Sequence, residues 1–372
     1  MPTLLKRFIG LVVVVLLLIG ANAFMSREGL FGFGFPYYYA EILNLTGISI
    51  ILAVSLNLIT GFTGQFSIGH AGFMAIGAYS SVFMTVYYSE GAEKWLTAMV
   101  GATLAQSLVF LGVILFGALI AAIAGLVVGI PSLRLRGDYL AIVTLGFAEI
   151  IRIIILNIDR VGGATGFRGR VPPWDGRLII PQYANFIWIG GFAVITIVVV
   201  YNIVNSDIGR AFISIREDEL AAEAMGINTT RYKVLSFVIS SAFAGIAGAL
   251  FGHFRQFLHT NDFQFIRSIE IIIMIVLGGM GSITGAVLGA IVITILPELL
   301  RKLPGDLYSY RLVIYSALLI LIMLTRPQGV MGAKEFGISW LKRAQRRPEG
   351  DKPVGEKGVP IAQTDEQGKE HA

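Results

Sequence analysis

The sequence predicts an all-α integral membrane protein, a polytopic helical bundle of about eight to ten transmembrane helices. Three observations carry this. Hydrophobic residues make up 55% of the chain and charged residues only 14%, where a soluble domain carries about 25% charged residues. Mean hydropathy is +0.75. The apolar residues fall into successive runs near the length of roughly 20 that crosses about 30 Å of hydrocarbon. Open strands are excluded, because lipid cannot satisfy their backbone groups.

Taken in order, the runs lie at 8–24, 42–61, 68–88, within 96–130, and at 139–157, 183–204, 232–254, 269–296 and 311–325. The first follows Lys6-Arg7 in the manner of a signal peptide, but its core from Phe8 to Ala21 is long for one and further spans follow. An uncleaved first span is therefore expected. The aromatic stretch Gly29–Tyr39 after it reads as an outer interfacial belt. There are 44 glycines and no cysteine. Glycine lets membrane helices approach closely, and Gly245, Gly248 and Gly252, like Gly281, Gly285 and Gly289, are spaced for that.

Lysine and arginine in short loops set the orientation. Lys6 and Arg7 place the N-terminus in the cytoplasm, with Arg134, Arg136, the Arg210–Arg231 loop and the basic tail from Arg326 on the same side. Between that loop and the tail the number of crossings must be even, yet three apolar runs are present. The run at 269–296 is therefore expected to break at Gly278–Gly285 into two short pieces, either two crossings or a re-entrant pair. The external loop 158–182 fits this scheme least well: it carries Arg160, Arg168, Arg170 and Arg177 against only Asp159 and Asp175. Residues 1–340 are expected to form the transmembrane domain, with a cytoplasmic loop at 206–231. Residues 341–372 are rich in Lys, Glu, Gly and Pro and are expected to be a disordered cytoplasmic tail.

Several chemistries find no support. No phosphate-cradling G-x-x-x-x-G-K-[ST] loop and no G-x-S-x-G nucleophile elbow is present. The four histidines, His70, His253, His259 and His371, have no metal-pair spacing. The net charge of +5 is accounted for by membrane-flanking positives and gives no reason to invoke nucleic acid. Ionisable residues within spans are few: Glu149 with Arg152, Glu270 and Glu298. An intramembrane enzyme or an ion-coupled carrier needs clusters of such groups at depth. Glu149 and Arg152, three apart, share a helix face and can pair.

The most informative stretch is the polar island Gly209–Gly226. Ser214 with Glu217 reads as a capping box and Gly226 as a helix stop, which predicts one helix over Ile215–Met225. At 1.5 Å per residue it would be a lever about 16 Å long. Leu220, Ala221, Ala224 and Met225 form an apolar stripe on it, and Arg216, Glu217, Asp218, Glu219 and Glu223 cover much of the rest. Helices that lie on membranes favour lysine and arginine, so this acidic one points to a soluble protein partner. A second stretch, Asn57–Phe73, interrupts apolar sequence with four glycines and with the polar Asn57, Thr63, Gln65 and Ser67. Broken transporter helices expose such groups to solute, which makes these four candidates for a substrate pathway. A tight turn with close helix packing is the alternative, and His70 reads as a turn or capping residue.

Five motifs together resemble one family. They are Gly64–Ala71, Leu133–Ala141, the loop Gly209–Gly226, Val276–Ser282 and Arg326-Pro327-Gln328-Gly329. In this order, over roughly residues 40–332, they look like the branched-chain amino acid ABC transporter permeases, closest to the longer of the two permease subunits. The resemblance implies a type II ABC importer fold, with Glu219, Ala221, Ala222 and Gly226 in the matching places of the ATPase-coupling loop. It implies a second permease subunit, two cytoplasmic ATPase subunits that bind ATP and Mg, an external solute-binding protein, and no cofactor on this chain. Branched-chain or other small amino acids are the implied solutes; the family also includes urea-type and short-amide-type permeases. One departure is the basic Arg168 after Thr165-Gly166, where the family often places an acidic residue.

Overall fold

A computed structural model describes Gly20, residues 37–132, Leu135, residues 137–301, 310–325 and 329–332. The expected first span at 8–24 apart from Gly20, most of the aromatic belt, Arg134, Arg136, Arg326–Gln328 and the 341–372 tail lie outside the described residues.

Twelve α-helices occur among the described residues: α1 Tyr37–Asn57, α2 His70–Tyr87, α3 Ser89–Val100, α4 Ala102–Ser132, α5 Asp138–Leu156, α6 Phe186–Val204, α7 Asp207–Glu217, α8 Glu219–Ala224, α9 Thr229–Arg255, α10 Phe265–Gly278, α11 Ile283–Leu300 and α12 Arg311–Thr325. A π-turn, Leu58–Phe62, prolongs α1. Among the described residues six stretches are long and apolar enough to cross a membrane: α1 with its π-turn, α4, α5, α6, α9 and α11. Helix α2 has less need of apolar side chains, because protein rather than lipid surrounds most of it.

Helix α9 is the hub. It packs on α4, α2 and α1, and its contact face is made of residues without bulk. A Cβ on Gly245 would lie 2.5 Å from that of Ala121. Gly77 of α2 meets the Gly245 backbone, and Gly248 meets the Met74 carbonyl. Lipid tails give helices no hydrophobic reason to associate, so close van der Waals contact through small residues supplies the attraction. The spacing of Gly245, Gly248 and Gly252 is thereby explained. Away from the hub, α4, α5 and α6 present Leu108, Leu119, Ile142, Ile154, Ile195 and Val198, exposed as a bilayer-facing surface requires.

The expected break in the 269–296 run is real. Helix α10 stops at Gly278, α11 starts at Ile283, and Gly279 (φ 115°) and Gly281 (φ 81°) turn the chain between them. The two pieces fold back on each other, with Gly278 against Gly285 and Gly289 against the Met274 carbonyl. Helix α2 begins inside the bundle, not at its end. The Ile68 amide donates to Thr144 Oγ1 (3.1 Å) and the Ala71 amide to Ser268 Oγ (3.0 Å), which fastens its first turn to α5 and α10.

Loop 158–182 explains its own excess of arginine. Arg160 lies over the Trp174 ring at 5.1 Å and Arg168 over Phe257 at 5.0 Å. Arg177 pairs with Glu93 of α3, and Arg170 lies 3.7 Å from Asp175. Each guanidinium thus has a local partner. The loop sits at the end of the bundle opposite α7 and α8, where the Arg177 amide donates to the Val86 carbonyl (2.9 Å) at the tip of α2.

Candidate functional site

The polar island does not form the single helix expected over Ile215–Met225. Helix α7 runs through Ser214 and ends at Glu217; Asp218 is extended (φ −157°, ψ 111°); α8 then begins at Glu219. Ser214 is no cap, since its hydroxyl donates to the Arg210 carbonyl (2.9 Å) from inside α7. The cap is Asp218, whose carboxylate accepts from the amides of Leu220 (2.9 Å) and Ala221 (3.1 Å). A carboxylate binds those free amides and the positive helix end better than a hydroxyl does. The polar island is therefore two helical pieces with a corner at Asp218. The stop is as expected: Gly226 (φ 85°) donates to Glu223 O (2.9 Å) and Ile227 to Ala222 O (3.0 Å), a Schellman ending.

The acidic residues also behave differently from the expectation. Glu219 and Glu223 do not simply repel each other across a solvated face. Glu219 pairs at 2.6 Å with Lys233, which is buried at the start of α9. Glu223 accepts from Thr229 Oγ1 at 2.6 Å. Ala222 is buried between them. These contacts hold α8 to its own bundle, and they orient the stripe Leu220, Ala221, Ala224 and Met225 outwards. Leu220 is 65% and Met225 82% exposed. Lys233 was not singled out from the sequence, although a lone lysine at the head of an apolar span was a usable signal.

Arg216 stays partly exposed but sends one edge of its guanidinium inward. Its Nη1 donates to the Gly61 carbonyl in the π-turn (3.0 Å), while Nε and Nη2 reach Glu217 (3.2 and 2.6 Å). The neighbouring Asn57, Thr63 and Ser67 have their polar atoms turned onto nearby backbone and are buried. Asn57 donates to the Ser282 carbonyl and accepts from the Gly281 amide, both at 3.0 Å. Thr63 donates to the Leu58 carbonyl (2.9 Å), and Ser67 accepts from Gly69 (3.4 Å). Of the four pathway candidates, only Gln65 keeps a buried amide without a hydrogen-bond partner. It lines a cavity of about 90 Å³ with Gly64, Gly137, Leu140, Arg216, Glu219 and Lys233.

The motifs that stand far apart in sequence thus meet at one end of the bundle. Gly329, the described residue of the last motif, lies against Gly279, and just after it Val330 donates to the Leu277 carbonyl (2.8 Å) and Met331 to Gly278 (3.1 Å), closing the free end of α10. Glu149 and Arg152 pair as expected, at 2.7 Å. His70 opens α2 with its Nε2 3.0 Å from Ser55 Oγ. Among the described residues no group of three or more His, Asp or Glu could hold a metal ion.

A multi-pass helical bundle, with a small capped polar element held at one end and a stripe of apolar residues left open on it, has the form of a membrane-transport subunit. The family model for the branched-chain amino acid transport system permease component matches residues 38–323, and the chain belongs to that family. It is 33% identical over 322 residues to the high-affinity branched-chain amino acid transport system permease protein LivM of Salmonella typhimurium, covering 78% of this chain and 69% of that one. It is 25% identical to a probable LivM of Methanocaldococcus jannaschii (79% and 93% covered). It is 29% identical to the permease protein LivH of Salmonella typhimurium (81% and 97% covered). No solved structure matches the chain.

Proposed function

We propose that this chain is a membrane-spanning subunit of an ATP-driven importer that moves branched-chain amino acids into the cytoplasm by alternating access. Its partners are a second, related permease, two cytoplasmic ATPase subunits and an external solute-binding protein. It sits in the inner membrane with its N-terminus and its tail from about residue 341 in the cytoplasm. It binds no cofactor itself; ATP and Mg belong to the ATPase subunits. The coupling site is the 206–231 loop, with Arg216, Glu217, Asp218, Glu219, Ala221, Ala222, Glu223 and Gly226. Closure of the ATPase pair on ATP pushes α8, and nucleotide shifts the equilibrium only because the two arrangements bind it differently.

The observation that carries this is the open stripe on α8, Leu220 and Met225 above all, on an element otherwise fastened by Asp218, Lys233 and Thr229. Large exposed apolar side chains on a held, capped helix are suited to an anchor in another protein's groove. Charge reversal at Glu219 would first break the bridge to Lys233, so the stripe is the better target. Leu220→Asp with Met225→Asp is expected to abolish co-purification of the ATPase subunits and ATP-dependent leucine uptake, with the bundle itself still folded. Retained co-purification and uptake would remove the coupling role. Uptake that survives ATP depletion but collapses with the proton gradient would favour an ion-coupled carrier, and transport of urea but not leucine would favour a short-amide permease.

A further inference from the structure

Chain connectivity alone suggests that a push on α7 and α8 travels into the helices joined to them, α6 and α9. The contacts around Arg216 indicate a second route. Its guanidinium leaves α7 and donates to the Gly61 carbonyl, 155 residues away in sequence. It occupies a slot that two glycines, Gly64 and Gly281, keep open. A Cβ on Gly64 would lie 2.8 Å from Arg216 Cγ, and one on Gly281 2.9 Å from its Nη1. A Cβ on Gly61 would collide with the Asn57 side chain and the Gly281 amide.

The receiving end is connected in turn. Asn57 ties the last turn of α1 to both Gly281 and Ser282, at the break between α10 and α11. Gly61 itself lies in a π-turn, where the regular ladder of α1 is already widened. A charge-assisted hydrogen bond at such a point is among the stronger single contacts available to a moving element.

We infer that Arg216 is the positioning residue that transmits displacement of the coupling element into α1 and the α10–α11 junction. This rests on the proposed role of the 206–231 loop. Through it, one push reaches the helices adjacent in sequence and also α1 and the α10–α11 junction. Glu217 holds the other edge of the guanidinium, so the arm is braced on its own helix while it pulls on the next.

The test uses the complete transporter in liposomes, with the ATPase subunits and binding protein. Arg216→Ala is expected to move roughly tenfold less leucine for each ATP hydrolysed, whatever its rate of hydrolysis, the scale of one charged hydrogen bond. Arg216→Lys, which keeps one charged donor, should recover part of the loss. Unchanged transport per ATP in Arg216→Ala overturns the inference. A measurement free of folding risk in that variant uses spin labels on Ile213→Cys and Met280→Cys in a chain with no other cysteine. With Arg216 present the two labels should keep their separation when nucleotide binds, while each moves relative to a label at Leu178→Cys. A nucleotide-dependent change between 213 and 280 as large as that to 178 overturns it. A wild-type chain that recruits no ATPase subunit would instead bring down the functional reading, which the co-purification step detects separately.

Discussion

Single side chains at the loop end of the bundle show how local chemistry sets a pH dependence. Burial pushes the Glu93 carboxyl up, but hydrogen bonds from Tyr183 (2.8 Å) and Arg177 and the Arg177 charge outweigh it, so the group lies below its ordinary value of 4.5. Desolvation, with the hydrogen bond to Glu93, pushes the Tyr183 hydroxyl up to about 12. A depressed carboxylate stabilises the fold above its ordinary value and loses that contribution as pH falls through the folded one. The raised phenol stabilises below its ordinary 10.0 and loses its contribution as pH rises through about 12. Glu93→Gln should therefore lower stability by about 2 kcal/mol near neutral pH. The deficit should vanish in acid below the wild-type folded value. Thermal unfolding of wild type and variant in detergent across pH checks this, and a deficit of equal size at every pH would assign the effect to packing alone.

At the scale of elements, two features govern the bundle. One is the approach of α9 to α2 and α4 through glycines. Gly248 faces the Met74 carbonyl with no room for a side chain, so Gly248→Val is expected to cost at least about 3 kcal/mol by overpacking. The readout is the fraction of monodisperse protein after solubilisation and its unfolding midpoint; wild-type values would mean that α9 and α2 can separate freely. The other is the corner at Asp218. At this corner α8 turns its stripe, Leu220 and Met225, to solvent while α7 keeps Phe212 and Ile215 inside.

At the scale of the molecule, orientation is the decisive property. Loop 158–182 and the α7–α8 element occupy opposite ends of the bundle, and the absence of cysteine makes any introduced thiol unique. In intact spheroplasts Leu178→Cys, 71% exposed, should react with a membrane-impermeant maleimide. Met225→Cys should react only after the membrane is opened. The reverse pattern would invert the topology and remove access of a cytoplasmic ATPase to α8.

Hydropathy and glycine spacing were enough to predict the helical membrane class, the packing role of Gly245 and Gly248, the Glu149–Arg152 pair and the interruption after Gly278. Each depends on composition or on residues a few positions apart, which a linear reading captures. Motif order was likewise enough to predict the family. The corner at Asp218, the bridge from Glu219 to Lys233 and the reach of Arg216 to Gly61 were decided only by the tertiary structure. Ser214-x-x-Glu217 and Asp218 offer the local chain two rival caps, and the choice falls to whichever lets Phe212 be buried and Glu219 meet a lysine from another helix. Such energies arise between residues brought together by folding, and no local periodicity encodes them.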